Sequence, residues 1–173
     1  MDLENGTNKI DIRQLTEYSL SDIMKIVKDV IIKMNQNGIY QWDEIYPDEN
    51  TIRKDLHDKC AFGYFINNQL SGYVAINDDI PIEYNSVKWN NDFGKVLIIH
   101  RLIVKVQEQG KGISKIMMNF IEKFAKISEF QSIRLDAFSN NPISLNLYES
   151  YGYTNVGFVN FRKGLFYCFE KEL

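Results

Sequence analysis

Apolar residues recur along this chain with two periods, and the switches between them mark its elements. Ile23, Ile26, Val27, Val30, Ile31 and Met34 are spaced by threes and fours and so lie on one face of a helix. Ser19 or Ser21 can cap its start, and Gly38 can end it. Ile113, Ile116, Met117, Phe120, Ile121, Phe124 and Ala125 trace a second such face, with Lys115, Asn119, Glu122 and Lys126 off it. A shorter helix is predicted over 50–58, opened by Asp48 or Asn50. Another opens at Asn141-Pro142, where a capping residue precedes a proline at the first helical position. It runs to Tyr151, and Gly152 can terminate it.

Between the helices the pattern changes to that of strands. Residues 10–15 partly alternate and suggest a first strand. Residues 60–66 and 72–77 are strand-like, with Asn67-Asn68-Gln69 as part of a hairpin turn. The polar, acidic stretch 78–94 reads as a loop. Residues 95–104 hold a nearly continuous apolar run, which predicts a strand buried on both faces. Residues 132–138 form another strand, and 153–160 with 165–170 a closing pair around Lys163-Gly164. The order β-α-α-β-β-β-α-β-α-β-β is that of an α/β protein with a mixed sheet. No repeat, low-complexity tract or linker breaks it, so residues 1–173 are expected to form a single domain.

Composition narrows the function classes. The net charge of −3 argues against a nucleic-acid surface and suits a cationic partner such as an amine. Cys60 and Cys168 form no CxxC pair and read as buried, reduced thiols of a reducing compartment, here the cytoplasm. The first residues lack the basic and apolar segments of a secretory signal, which leaves the Asn5-Gly6-Thr7 sequon without meaning. No apolar run approaches the roughly 20 residues a bilayer requires, so no membrane partner is expected. With two histidines, no HxxxH and no clustered cysteines, no metal site is expected either. No GxSxG nucleophile motif occurs.

The most informative stretch follows the apolar strand Leu102-Ile103-Val104: Gln107-Glu108-Gln109-Gly110-Lys111-Gly112-Ile113-Ser114 leads directly into a helix. A helix start offers unpaired N–H groups and the positive end of a dipole, and so binds anions. Gly110 and Gly112 let the backbone approach a phosphate closely. Lys111 and Lys115 can add positive charge. The run does not supply the GxxxxGK[ST] of a P-loop, and Lys115 stands where a dinucleotide fingerprint needs its third glycine. On the glycines alone, a phosphate loop and a plain tight turn are both open.

The surroundings carry a resemblance. Gln107-x-x-Gly110-x-Gly112 matches the [QR]-x-x-G-x-[GA] signature of the GNAT superfamily of N-acetyltransferases. Asn141, Leu147, Tyr148 and Gly152 match the family's N-x-x-A-x-x-L-Y-x-x-x-G-F, with Ser144 in place of Ala and Tyr153 in place of Phe. Gln41-Trp42 and Tyr46-Pro47 resemble a loop of many small bacterial members. The likeness covers nearly the whole chain. It implies a GNAT fold, α/β, with a mixed, mostly antiparallel twisted sheet flanked by helices and splayed after its fourth strand. It also implies acetyl-CoA as acyl donor and an amine as acceptor, in a monomer or homodimer. Leu102, Ile103 and Val104 would pair with the pantetheine arm. The amides of Gln109, Gly110, Lys111, Gly112, Ile113 and Ser114 would hold the pyrophosphate. Asn141 would contact the arm, unless it serves only as the helix cap.

By the same likeness Tyr148 takes the place of the general acid that protonates the departing thiolate. A phenol with an ordinary pKa near ~10 is protonated at neutral pH and can donate; the competing reading is a packed aromatic. Asp43, Glu44 and His100 are candidates by location for the base, each with a bland alternative, a solvated carboxylate or a core histidine. Tyr40, Trp42 and Tyr46 could wall an acceptor site or cover the core. The second function class is a non-catalytic acyl-CoA-binding module or sensor. A third is an enzyme that acts on a peptide N-terminus or lysine.

Overall fold

A computed structural model describes residues 11–173. The expected strand start at Ile10, and the Asn5 sequon, lie outside those residues. The elements follow in the expected order: β1 (Asp11–Gln14), α1 (Leu20–Gln36), α2 (Glu49–His57), β2 (Ala61–Ile66), β3 (Gln69–Asn77), β4 (Val96–Val104), α3 (Ile113–Ile127), β5 (Ser132–Phe138), α4 (Pro142–Ser150), β6 (Thr154–Phe161) and β7 (Gly164–Glu172). The strands form one seven-stranded sheet, β1-β2-β3-β4-β5-β7-β6. All neighbours pair antiparallel except β4 and β5. This is the mixed, mostly antiparallel sheet flanked by helices that the family resemblance implies.

Helices cover both faces of the sheet. Ile23, Ile26, Val27 and Val30 of α1 join Ile52 and Leu56 of α2 over Tyr73, Ala75 and Ile103. Ile113, Met117, Ile121 and Ala125 of α3 cover Leu97, Ile99, Ile133 and Leu135. Leu97, Ile98, Ile99 and Ile103 of β4 are all buried, as a strand between two helical layers requires. At His100, Arg101 and Leu102, beyond its pairing with β5, β4 is half-buried.

Local differences from the sequence reading have local causes. The β2–β3 turn contains only Asn67 and Asn68, both at positive φ (48° and 62°), so Gln69 already pairs with Ile66 and β3 begins three residues earlier than expected. Ser19 occupies the cap position of α1 without a side-chain hydrogen bond, since a 3-10 turn over Glu17–Ser19 leads the chain in. Asp48 caps α2, accepting from the Thr51 amide at 2.9 Å.

The 78–94 stretch departs most from a simple polar loop. It contains a 3-10 turn, Ile82–Ser86, and buries Tyr84 and Trp89 in a third cluster with Ile98, Phe138, Val159, Phe166 and Cys168. The Glu170 carboxylate fastens its far end. It accepts from the amides of Asn90 (2.7 Å) and Asn91 (3.2 Å) and from Arg134 Nε (3.0 Å). Arg134 also donates to the Asn91 carbonyl, and its guanidinium lies 4.3 Å from the Trp89 ring centre.

Candidate active site

Strand geometry opens the site. β4 and β5 pair only from Val96↔Ser132 to Ile98↔Arg134, and beyond that they separate. On its other edge β4 carries a bulge. Between the pairs Ala75↔His100 and Tyr73↔Ile103, the single residue Val74 faces both Arg101 and Leu102. Arg101 takes a positive φ of 31° there. The guanidinium is tied down on both sides: it pairs with buried Asp55 of α2, which also accepts from Tyr73, and donates to the Tyr46 hydroxyl at 2.7 Å. A strained, half-buried strand end is thus held by groups from three other segments.

Two cavities flank the opening. The first, of about 510 Å³, runs along Leu102, Ile103 and Val104 to the start of α3. It is lined by Gln109, Gly110, Gly112, Ile113 and Ser114, and by Asn141 from the α4 side. Of the ten residues expected to hold a coenzyme, Lys111 alone does not line it; its ammonium turns aside to Glu108 at 2.8 Å. Gly112 is the α3 cap residue at φ 81°, and no side chain caps that helix. Among the described residues, the amides of 110–114 meet no acceptor. No atom lies within 4 Å of the place a Cβ would occupy on Gly110 or Gly112. Such a mouth fits an anionic group brought against the backbone. Asn141 caps α4 through its Oδ1 to the Ser144 amide (3.2 Å), and its Nδ2 donates to Gln41 Oε1 (2.9 Å).

The second cavity, of about 460 Å³, lies beyond the bulge. Ile99, His100, Arg101, Asp136, Glu83 and Lys163 are among its lining residues. The two cavities share Gln41, Trp42, Leu102, Ser144 and Tyr148, so they meet at Tyr148. That phenol sits on α4 beside Tyr153 and Phe169, each 6.1 Å away between ring centres. Burial, and next the Asp136 carboxylate, push its pKa far up, which keeps it protonated. Among the described residues its hydroxyl has no hydrogen-bond partner.

The candidate bases part company here. Asp43 is clamped by Arg162 (2.6 Å) and Lys163 (3.3 Å), and the Arg162 hydrogen bond holds its carboxyl well below the usual range. Neither Asp43 nor Glu44 lines either of these two cavities. His100 does, but burial, with Arg101 beside it, pushes it down to about 3, so it is a neutral ring held by Asn77 at 2.8 Å. The carboxylates lining the second cavity are instead Glu83 and Asp136, the latter in the middle of β5. The one signal of Asp136 in the sequence is a charge between Leu135 and Ala137 in an otherwise apolar half-strand. Trp42 lines both cavities, Tyr46 lines the second, and Tyr40 is exposed. Cys60 and Cys168 are free and buried. Among the described residues no cluster of three metal-ligating side chains occurs, and no helix is long and apolar enough to cross a membrane.

A sheet that splays beside a bulged strand, with an uncapped helix mouth facing the gap, defines a class. The profile of the acetyltransferase (GNAT) family matches residues 32–153, and the chain belongs to that family. Among individual relatives, it is 27% identical over 153 residues to a streptothricin acetyltransferase of Escherichia coli, covering 88% of this chain and 75% of the relative. The fold matches a GNAT-family acetyltransferase of Streptococcus agalactiae with a TM-score of 0.82 at 21% identity, over 95% of both chains. It also matches the PaiA N-acetyltransferase of Thermoplasma acidophilum, solved in complex with coenzyme A, with a TM-score of 0.73 at 16% identity over 95% of this chain and 99% of that one.

Proposed function

We propose that this protein, as a single domain, transfers the acetyl group of acetyl-CoA directly to a primary amine of a small acceptor. The observation that carries the reading is the meeting of two cavities at one protonated phenol. One cavity has the shape and the free amides for a phosphorylated, extended donor; the other presents carboxylates to a cation. In this reading the amides of Gln109, Gly110, Lys111, Gly112, Ile113 and Ser114 hold the donor's pyrophosphate. The Leu102–Val104 edge, left unpaired by β5, takes the pantetheine arm as an added strand would be taken. Asn141 borders the arm and positions α4.

Tyr148 supplies the proton or hydrogen bond that the departing thiolate needs. Its raised pKa makes it a reluctant acid in the free protein, but one that never starts ionised at neutral pH. Asp136 and Glu83 on the second cavity give the ammonium of an amine acceptor a partner. The free, buried thiols suit a reducing cytoplasm.

The test is thiol release from acetyl-CoA with streptothricin, kanamycin, spermidine and lysine as acceptors. Streptothricin heads the panel because the Escherichia coli relative is named for it. Tyr148→Phe is expected to lower turnover by roughly 10²-fold while acetyl-CoA affinity by calorimetry stays within about twofold. Unchanged turnover removes Tyr148 from the mechanism. Tight coenzyme binding without turnover on any amine would turn the protein into an acyl-CoA-binding module.

A further inference from the structure

Three carboxylates sit around the second cavity and its supports, and they are not alike: Asp55 and Glu170 are buried, and Asp136 is half-buried. Asp55 faces Arg101, and Glu170 faces Arg134. Asp136 faces no cation within ion-pair distance. Its Oδ2 accepts from the Tyr84 hydroxyl at 2.8 Å, and its Oδ1 has no hydrogen-bond partner among the described residues. Tyr84 cannot easily move: its ring is 1% exposed, packs 4.9 Å from Trp89, and its carbonyl accepts from Trp89 Nε1 at 3.1 Å. One oxygen of Asp136 is therefore anchored, and the other is left to the cavity that Tyr148 also borders.

The cations around that cavity each have a partner other than Asp136. Arg101 is engaged by Asp55 and Tyr46, and Arg162 and Lys163 are engaged by Asp43. Glu83 adds a second carboxylate on the lining.

Resting on the acetyl-transfer reading above, we propose that Asp136 is the proton acceptor for the incoming amine, with Tyr84 as the residue that positions it. An acceptor ammonium, R–NH3+, entering the second cavity meets Asp136 Oδ1. The proton moves to the carboxylate, giving R–NH2 and a neutral Asp136. The nitrogen lone pair then forms the C–N bond to the thioester carbonyl carbon, and the C–S bond breaks with its electron pair on sulfur. Tyr148 protonates that sulfur and recovers a proton from the nitrogen, which leaves the amide and the free thiol. Asp136 returns its proton to solvent, so one proton is released per amide formed.

The surroundings tune Asp136 for this exchange. Burial raises its pKa to about 6. The Tyr84 hydrogen bond and Arg101 pull it down, while Glu83 pushes it up. The other ionisable groups near it are Cys168 on β7, Tyr148 on α4, and His100, Arg162 and Lys163 on the cavity lining. The cysteine and the phenol are held in their neutral forms by raised pKa values, and the histidine by a lowered one. A carboxylate with a pKa near 6 is mostly ionised at neutral pH, and it is far more basic than an ordinary aspartate.

The test takes the best amine of the panel above and follows kcat and KM against pH. In the wild type, kcat/KM should rise with unit slope to a plateau above about pH 6. Independently of turnover, the Asp136 carboxyl band in infrared difference spectra should titrate over the same range. Asp136→Asn should lower kcat by roughly 10²-fold at pH 7 with coenzyme affinity unchanged, and its rate should climb with pH as the free amine itself deprotonates. Tyr84→Phe keeps the carboxylate and loses the bond that favours its ionised form, so the acid limb and the infrared midpoint should both move up, by about one unit. This second variant decides the matter if Asp136→Asn does not fold.

Three results would overturn the proposal: an Asp136→Asn enzyme with wild-type kcat, one with only a raised acceptor KM and the acid limb intact, or a Tyr84→Phe enzyme with an unmoved limb. A wild-type protein that binds coenzyme but acetylates none of the amines overturns the acetyl-transfer reading as well, and so separates the two failures.

Discussion

Gly112 sits at φ 81° with no protein atom within 4 Å of where its Cβ would stand. A side chain there would meet no clash in the free protein, only the backbone strain of the left-handed region. Gly112→Ala should therefore destabilise the fold by only about 1–2 kcal/mol, measured by urea unfolding. Its effect on coenzyme binding should be larger in proportion, a loss of roughly tenfold or more, because the methyl group stands where a phosphate would approach. Equal coenzyme affinity in calorimetry would mean that the anion does not come to this backbone. That Gly110, Gly112 and Tyr148 border the cavities was legible in the sequence, because their places depend on local chain geometry and on short motifs. Asp136 was not: its partner Tyr84 lies 52 residues earlier, in a stretch that reads as a polar loop.

At the scale of elements, the helices announce themselves and the loop does not. The apolar faces of α1 and α3 are the buried ones, and Asp48 and Asn141 cap where capping chemistry predicts. The 78–94 stretch hides Tyr84 and Trp89 among acids and amides, and only the ion pair of Arg134 on β5 with Glu170 on β7 shows that it is fastened. Glu170→Ala leaves the Arg134 guanidinium buried without its partner and frees the amides of Asn90 and Asn91. It should cost about 3–5 kcal/mol, read as a lower urea midpoint. Because the same stretch carries Tyr84, the acceptor side should lose activity before the coenzyme side loses affinity.

For the molecule as a whole, Asp136 makes stability depend on pH. The folded pKa of Asp136, about 6, lies above its ordinary 3.8, so the folded state binds the proton more tightly. Its contribution is fully present below about pH 4 and is lost as pH rises through 6. Asp136→Asn removes that loss. The variant should melt close to the wild type at pH 4 and roughly 3–6 °C above it at pH 7–8. Equal melting differences at both pH values would show that the carboxyl titrates normally. A catalytic group that costs stability at working pH is a common exchange.

The sequence by itself determined the periodicity of the helices, the order of the strands, the glycine turn before α3 and the family those motifs belong to, because each depends on residues a few positions apart. The tertiary structure alone decided where β4 and β5 part, which cations already have carboxylate partners, and that Asp136 comes to the cavity. Those outcomes rest on pairings between residues that lie 36 to 120 positions apart, such as Val96 with Ser132 and Asp43 with Lys163. Charge compensation is a property of distances in space, and no local pattern in the chain records it.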